Sequence, residues 1–245
     1  MIARDQPVCF PSELTVAVSS RNDGSMLNRE KGVHASRIVA NRKKLCEAVG
    51  ISYDDVVYQW INYNTHATYD IVAEVDTRST TRYDSATVAD AVITDMPGVG
   101  VFLPLADCVG TVVYDPVRRK LAVLHLGRHS TLTSLVQKTV AHLQVGGSDP
   151  RDLLVWMSPS IRGASYRLDY FDKKDDPNWE SFAVEHDDGV SIDLAGYNQA
   201  RFIEAGVLPG NITLSSVDTA VDQNYFSHFQ GDRTDRFAIV AMIRL

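Results

Sequence analysis

Cysteine is scarce in this chain: Cys9, Cys46 and Cys108 are the three in 245 residues. So few and so scattered, they cannot build a disulfide framework, and each must serve packing, metal binding or catalysis. Cys46, on the apolar side of a helical stretch, and Cys9 both read as packing. Long apolar runs are missing as well. No stretch is long enough to cross a bilayer, and MIARDQPVCF lacks the basic and hydrophobic regions of a secretory signal. The expectation is a soluble cytoplasmic protein with no membrane partner. Positive charge is in deficit, with 24 Lys and Arg against 31 Asp and Glu and a formal net charge of −7. Nucleic acid would be repelled except at a local basic patch, so a small-molecule partner is expected. Neither a linker nor a repeat divides the chain, which is expected to form one mixed α/β domain over residues 1–245.

Periodicity supplies the elements. Ser36 to Ala48 reads as a helix with Ile38, Val39, Leu45 and Ala48 near one face and Gly50 to end it. Asn41, Arg42, Lys43 and Lys44 read from periodicity as its solvated face. Asp55 to Tyr63 reads as a strand that leads into NYNTHATYD, placing His66 just beyond its end. Strands are expected at Ala91 to Thr94, Val99 to Leu105, Val112 to Tyr114 and Leu121 to His125. Alternation puts Leu121, Val123 and His125 on one side of the last of these, with Ala122 and Leu124 on the other. A helix over Thr131 to Leu143, capped by Ser130 or Thr131, is expected next, then a strand at Leu153 to Met157 and an exposed acidic insertion at Asp172 to Asp188. Tyr197 to Ala205 reads as a short helix closed by Gly206, and Phe237 to Ile243 as a strand covered on both faces. Trp60, Trp156 and Trp179 read as core or rim aromatics.

His66, Cys108 and His125 are donors suited to zinc, all placed at strand-to-loop transitions. Three protein ligands leave one tetrahedral position for water or substrate, as in a catalytic site. Spacing alone leaves the bland readings open: a strand-end His caps or packs, and a Cys after an apolar strand is a small hydrophobe.

The segment ADAVITDMPGVGVFLPLADCVGTVVYDPVRRKLAVLHLG resembles the core of the laccase-domain family, the multicopper polyphenol oxidoreductases or YfiH-like proteins. There an ADA(L/V)(V/I)T segment, a TADC segment and an HAGWRG segment follow in this order. ANRKKL at Ala40 to Leu45 is similar to the family's NRRRL helix, NTHATYD stands where it has QVHG, and SPSIRGASY where it has GPAIGPCCY. NQARFIEAGV, DQNYFSH and DRTDRFAIVAMI resemble its closing helix, YFSYR segment and TGRMA strand.

The resemblance implies a YfiH-like fold of mixed sheets flanked by helices. It also implies zinc rather than copper, held by His66, Cys108 and His125, which double as the catalytic residues. With seven His the chain cannot supply several His-rich copper sites. The implied activity is purine nucleoside phosphorylase, with adenosine deamination and methylthioadenosine phosphorolysis alongside; the older family label is polyphenol oxidase. Implied partners are purine nucleosides and phosphate, the phosphate held by Arg42, Arg128, His129 and Ser130 where strand, Gly turn and helix start would aim N–H groups at an anion. Two alternatives stand beside this: a Cys-His hydrolase or deamidase with Cys108 as nucleophile and His125 as base, and a non-catalytic zinc- or nucleoside-binding protein. HAGWRG has become HLGRHS, and the Cys pair of GPCCY is Ala164-Ser165. YFSYRR has become YFSHFQ, which brings in His228 and Phe229. Intact ligands in an altered pocket imply an altered substrate. Asp90 and Asp107 either orient an imidazole or cap turns.

Overall fold

The structure is a computed structural model that describes residues 5–30, 34–83 and 86–245. Its first strands are β1 (Leu14–Val18), β2 (Leu27–Asn28), β3 (Val56–Trp60), β4 (Val72–Glu74), β5 (Ala86–Val88) and β6 (Ala91–Thr94). β7 (Gly100–Leu105), β8 (Val109–Asp115), β9 (Lys120–Leu126), β10 (Leu154–Met157) and β11 (Arg167–Leu168) follow. β12 (Ala183–His186), β13 (Gly189–Ile192), β14 (Ile212–Leu214) and β15 (Asp235–Ile243) complete the set. The helices are α1 (Ser36–Ala48), α2 (Arg128–Thr131), α3 (Leu135–Val145) and α4 (Leu194–Glu204).

Two six-stranded mixed sheets carry the fold. One runs β1-β15-β7-β3-β5, with β2 also on β15, and the other β14-β10-β8-β9-β6-β4; a small third sheet, β11-β13-β12, lies apart. Strand alternation decides what each face buries. Along β15, Phe237, Ile239, Ala241 and Ile243 pack between the sheets, while Ala238, Val240 and Met242 pack with Leu45 and Cys46 of α1. Along β9, Leu121 and Val123 face the other sheet, whereas Ala122, Leu124 and Leu126 pack with α3 and α4 residues such as Val136, Val140 and Phe202. The order of layers is therefore helix, sheet, sheet, helices, with apolar side chains filling each gap.

Two expected segments differ from the structure. The helix expected over Thr131 to Leu143 is broken between α2 and α3, because Thr133 Oγ1 donates to Ser130 O at 2.7 Å and accepts from Leu135 N at 3.2 Å. A side chain that satisfies backbone groups locally competes with helix continuation. Nor is Asp172 to Asp188 merely an exposed insertion: it contributes β12 and buries Trp179, which is 2% exposed and stacks on Tyr197 at 3.8 Å. The burial of Trp179 bears out its reading as a core or rim aromatic, while the exposed reading of its segment does not hold.

Candidate active site

Strand register brings the first two site residues together. β8 and β9 pair with Val109 opposite Leu126 and Gly110 opposite His125, so one step further Cys108 meets Gly127. A Cβ on Gly127 would lie 2.9 Å from Cys108 Sγ, 3.0 Å from His125 Cε1 and 3.5 Å from His125 Nε2. Thiol and imidazole thus share a cradle that only glycine leaves open. His125 N donates to Asp90 O at 2.8 Å, tying the strand end to the neighbouring loop.

Around the pair lies a cleft of about 340 Å³, the size of a small-molecule site. Its walls include Arg29, Arg128, Arg233 and Arg236 with His125, His129 and His228; among the described residues lining it, Asp107 alone carries a carboxylate. Asp107 is spent on structure. Its left-handed backbone (φ 72°) turns the chain into Cys108, its Oδ1 accepts from Thr219 Oγ1 and its Oδ2 from Phe229 N, both at 2.7 Å. With Ile161 N donating to its carbonyl at 2.9 Å, it fastens three loops around the cleft. Asp90 likewise caps a turn, accepting from Ile71 N at 3.1 Å, and burial raises its pKa. Neither carboxylate orients the His125 ring.

Aromatic rings form the rest of the wall. Tyr63 Oη lies 3.2 Å from His125 Nε2, Tyr69 stacks on His129 at 4.6 Å, and Tyr166 meets Phe229 edge-on at 6.0 Å. Burial pushes the Cys108 thiol up to about 12, with Asp107 adding to the rise, and pulls His125 down to about 3, with Arg29 and Arg236 adding to the fall. Burial thus favours the neutral thiol and the neutral imidazole. The thiolate and imidazolium that a Cys-His hydrolase needs are both disfavoured.

The donor set fits a metal only in part. Cys108 and His125 converge, and His125 Nδ1 is buried with no hydrogen-bond partner. His66, however, is exposed on the β3–β4 loop, its N–H held by Asn64 Oδ1 at 3.0 Å, and it is absent from the cleft wall. Among the described residues no three His, Cys, Asp or Glu side chains are gathered for a metal.

The other expected anion ligands separate as well. Arg128 and His129 are exposed at the cleft, at the start of a helix of four residues. Ser130 is buried, and its hydroxyl accepts from Gly127 N at 2.9 Å and donates to His125 O at 2.7 Å, so it pins the turn. Arg42 is neither on a solvated helix face nor in the cleft wall. It is 1% exposed beneath α1, donating to Met26 O at 2.6 Å and to the Tyr53 and Tyr58 hydroxyls at 3.2 Å each. The guanidinium replaces solvent with its own set of acceptors, which makes it a core residue. Arg29, Arg233, Arg236, Tyr63 and Tyr166 were the unforeseen wall. Only Arg236, a charge at the head of an otherwise apolar strand, carried a sequence signal.

Residues 16–244 match the multi-copper polyphenol oxidoreductase laccase family. The chain belongs to that family. A purine nucleoside phosphorylase of Xylella fastidiosa is 26% identical over 209 residues, 83% of this chain and 77% of that protein. One of Corynebacterium glutamicum is 29% identical over 132 residues, so the match spans 54% of this chain and about half, 51%, of that relative. The crystal structure of the hypothetical protein YfiH of Bacillus licheniformis superposes with a TM-score of 0.82 at 24% identity, covering 95% of this chain and 93% of that one. This shared architecture is the mixed α/β fold expected from the sequence. No helix among the described residues is long and apolar enough to cross a membrane.

Proposed function

We propose that this laccase-family protein is a purine nucleoside phosphorylase. The observation that carries the reading is the cleft wall: four guanidiniums, none in a salt bridge with a described carboxylate, beside aromatic rings in a protein of net charge −7. Charge of that sign against the protein's own balance suits an anionic co-substrate, and aromatic faces suit a purine. In phosphorolysis a phosphate oxygen forms a bond to the anomeric carbon as its bond to the base nitrogen breaks, and the departing base takes up a proton. Arg29, Arg233 and Arg236 hold and orient the phosphate, while Tyr63, Tyr166 and Phe229 bound the space for nucleoside. Asp107 keeps the loops that carry Ile161, Thr219 and Phe229 in register with Cys108.

Zinc is the finer part of the proposal: Cys108 and His125 would hold it, with His66 as the third expected ligand. Bound there, it would supply a Lewis acid. Adenosine deamination and methylthioadenosine phosphorolysis are proposed activities of the same cleft. The test is product chromatography with adenosine, inosine, guanosine and methylthioadenosine, each with and without phosphate. Phosphate-dependent release of free base and a pentose 1-phosphate is expected. Inosine from adenosine without phosphate reports deamination. Turnover of none of these by protein that binds them would leave the non-catalytic binding reading. Metal analysis of the purified protein should find about one zinc per chain, lost in Cys108→Ala; full occupancy in that variant refutes the ligand set.

A further inference from the structure

Arg236 is the second residue of β15 and is 7% exposed, yet it makes no salt bridge with a described carboxylate. Its Nη1 donates to the carbonyls of Asp235 at 2.7 Å, Asp232 at 3.2 Å and Arg233 at 3.4 Å. Its Nη2 meets one acceptor among the described residues, Arg233 O at 3.4 Å. Of the groups that act on it, Arg29 repels it, the Cys108 thiol and Tyr63 phenol are neutral when protonated, and the Asp107 carboxylate is already taken up by Thr219 and Phe229. Arg29 lies 4.5 Å over the Tyr63 ring, and Arg233 Nη1 sits 3.4 Å from His228 Nε2. All four of these residues line the cleft.

Such a cluster is costly by itself. A buried guanidinium loses hydration, and like charges beside it add repulsion; burial, with Arg29 next, lowers the Arg236 pKa. Elsewhere this protein answers arginine with aspartate, as in Arg21 with Asp232 at 2.7 Å. In the cleft the one described carboxylate, Asp107, is engaged by Thr219 and Phe229 and forms no salt bridge with an arginine, and arginine forks match a tetrahedral oxyanion bidentately. We infer that Arg29, Arg233 and Arg236, with His228, form a seat for a phosphate group. The Gly127 to Ser130 turn does not supply it: the Ser130 hydroxyl is engaged by Gly127 N and His125 O, and Arg128 belongs to the segment after β9 rather than to the paired β2 and β15 ends that carry Arg29, Arg233 and Arg236.

The seat deepens the phosphorylase reading and rests on it only for which phosphate is bound: the inorganic co-substrate, or the phosphate of a phosphorylated nucleoside. The experiment is calorimetric titration of the full chain with inorganic phosphate, comparing wild type with Arg29→Gln, Arg233→Gln and Arg128→Gln. Arg29 and Arg233 are exposed, so their variants are expected to fold, checked by unchanged far-UV dichroism. Each should weaken phosphate binding about tenfold or more, as loss of one charge-assisted contact does, with Arg128→Gln within about twofold. Adenosine and AMP as competitors separate the sources. Phosphate that binds alongside adenosine is the co-substrate; phosphate displaced by AMP but not by adenosine marks a nucleotide phosphate. Either result supports the seat. Unchanged phosphate affinity in the Arg29→Gln/Arg233→Gln double variant overturns it, as does a tenfold loss in Arg128→Gln alone. Should phosphate bind as described while no nucleoside is cleaved, the seat stands and the phosphorylase reading falls.

Discussion

Two buried arginines divide the molecule into a region that is finished and one that is waiting. Arg42, between α1 and the sheet of β15, has a carbonyl, two phenol hydroxyls and the Tyr58 ring at 4.2 Å around its guanidinium. Arg236, in the cleft, has carbonyls on one side and no salt bridge, with Arg29 close enough to repel it. Burial and residue type are the same, so neither marks function. What distinguishes them is whether the fold supplies complementary partners. A cation whose surroundings are complete stabilises the native state, and one packed among like charges stores a demand for an anion.

Exchanging both arginines for methionine should break or confirm this contrast, with the largest effect at Arg42. Arg42→Met leaves Met26 O without its donor and removes the ring contact, costing about 3 kcal/mol by denaturant unfolding. Arg236→Met should cost less than about 1 kcal/mol, because relief of repulsion offsets the carbonyl contacts, and should abolish phosphate binding. Equal losses of stability in phosphate-free buffer would erase the distinction.

Gly127→Ala puts a methyl group where Cys108 Sγ and His125 Cε1 lie within 3.0 Å. Overpacking of that kind costs about 1–3 kcal/mol, and metal content should fall with it. Wild-type stability together with full zinc occupancy would show that the cradle yields.

The pH profile sharpens the same boundary. His125 has a folded pKa of about 3 against an ordinary 6.5, because burial excludes the charged form. Below pH 6.5 the unfolded chain takes up a proton that the folded chain refuses, so this contribution is intact above 6.5 and is lost as pH falls toward 3. The slope is at most about 1.4 kcal/mol per pH unit for one group. In chelator-treated protein, His125→Asn should flatten the acid limb of a Tm profile; an unchanged limb would assign it to other groups.

The smallest effect on phosphate binding is expected at Ser130. Ser130→Ala removes two hydrogen bonds that pin the turn and should cost about 1–2 kcal/mol, while phosphate affinity stays within about twofold. A large loss of affinity would return Ser130 to the anion seat.

Legibility followed periodicity. Ser36 to Ala48 matched α1 residue for residue, the sides of β9 came from alternation, and the double covering of β15 came from its unbroken apolar run. Cys108 and His125 stood out as strand-end donors, and ladder register does bring them together. Arg42 defeated both of its readings, because helix periodicity counts charge as solvated and family likeness counts conserved-looking arginine as ligand, whereas local acceptors decided its fate. Arg29 and Arg233 lie in polar loops without periodic pattern; only the pairing of β2 with β15 brings their segments near each other. The Thr133 break escaped because it depends on a single side-chain contact, and β12 escaped because the acidic residues around it conceal its pattern, although Trp179 in the same segment was legible as a core or rim aromatic.

The middle of a sheet here is made of distant parts. β15 lies between β1 and β7, pairing Leu14 with Ile243 and Phe237 with Leu105, and it is the last strand in sequence order. That sheet therefore stays split until residues 235–243 have left the ribosome and inserted, a high-contact-order step expected to be slow. Arg236 arrives with the same strand, so the cleft acquires its buried cation only as the two halves of the sheet are joined. An incompletely synthesised chain would expose the apolar edges of β1 and β7 and would also lack the capacity to recognise phosphate. Quality of folding and competence for ligand are thus gated by one insertion.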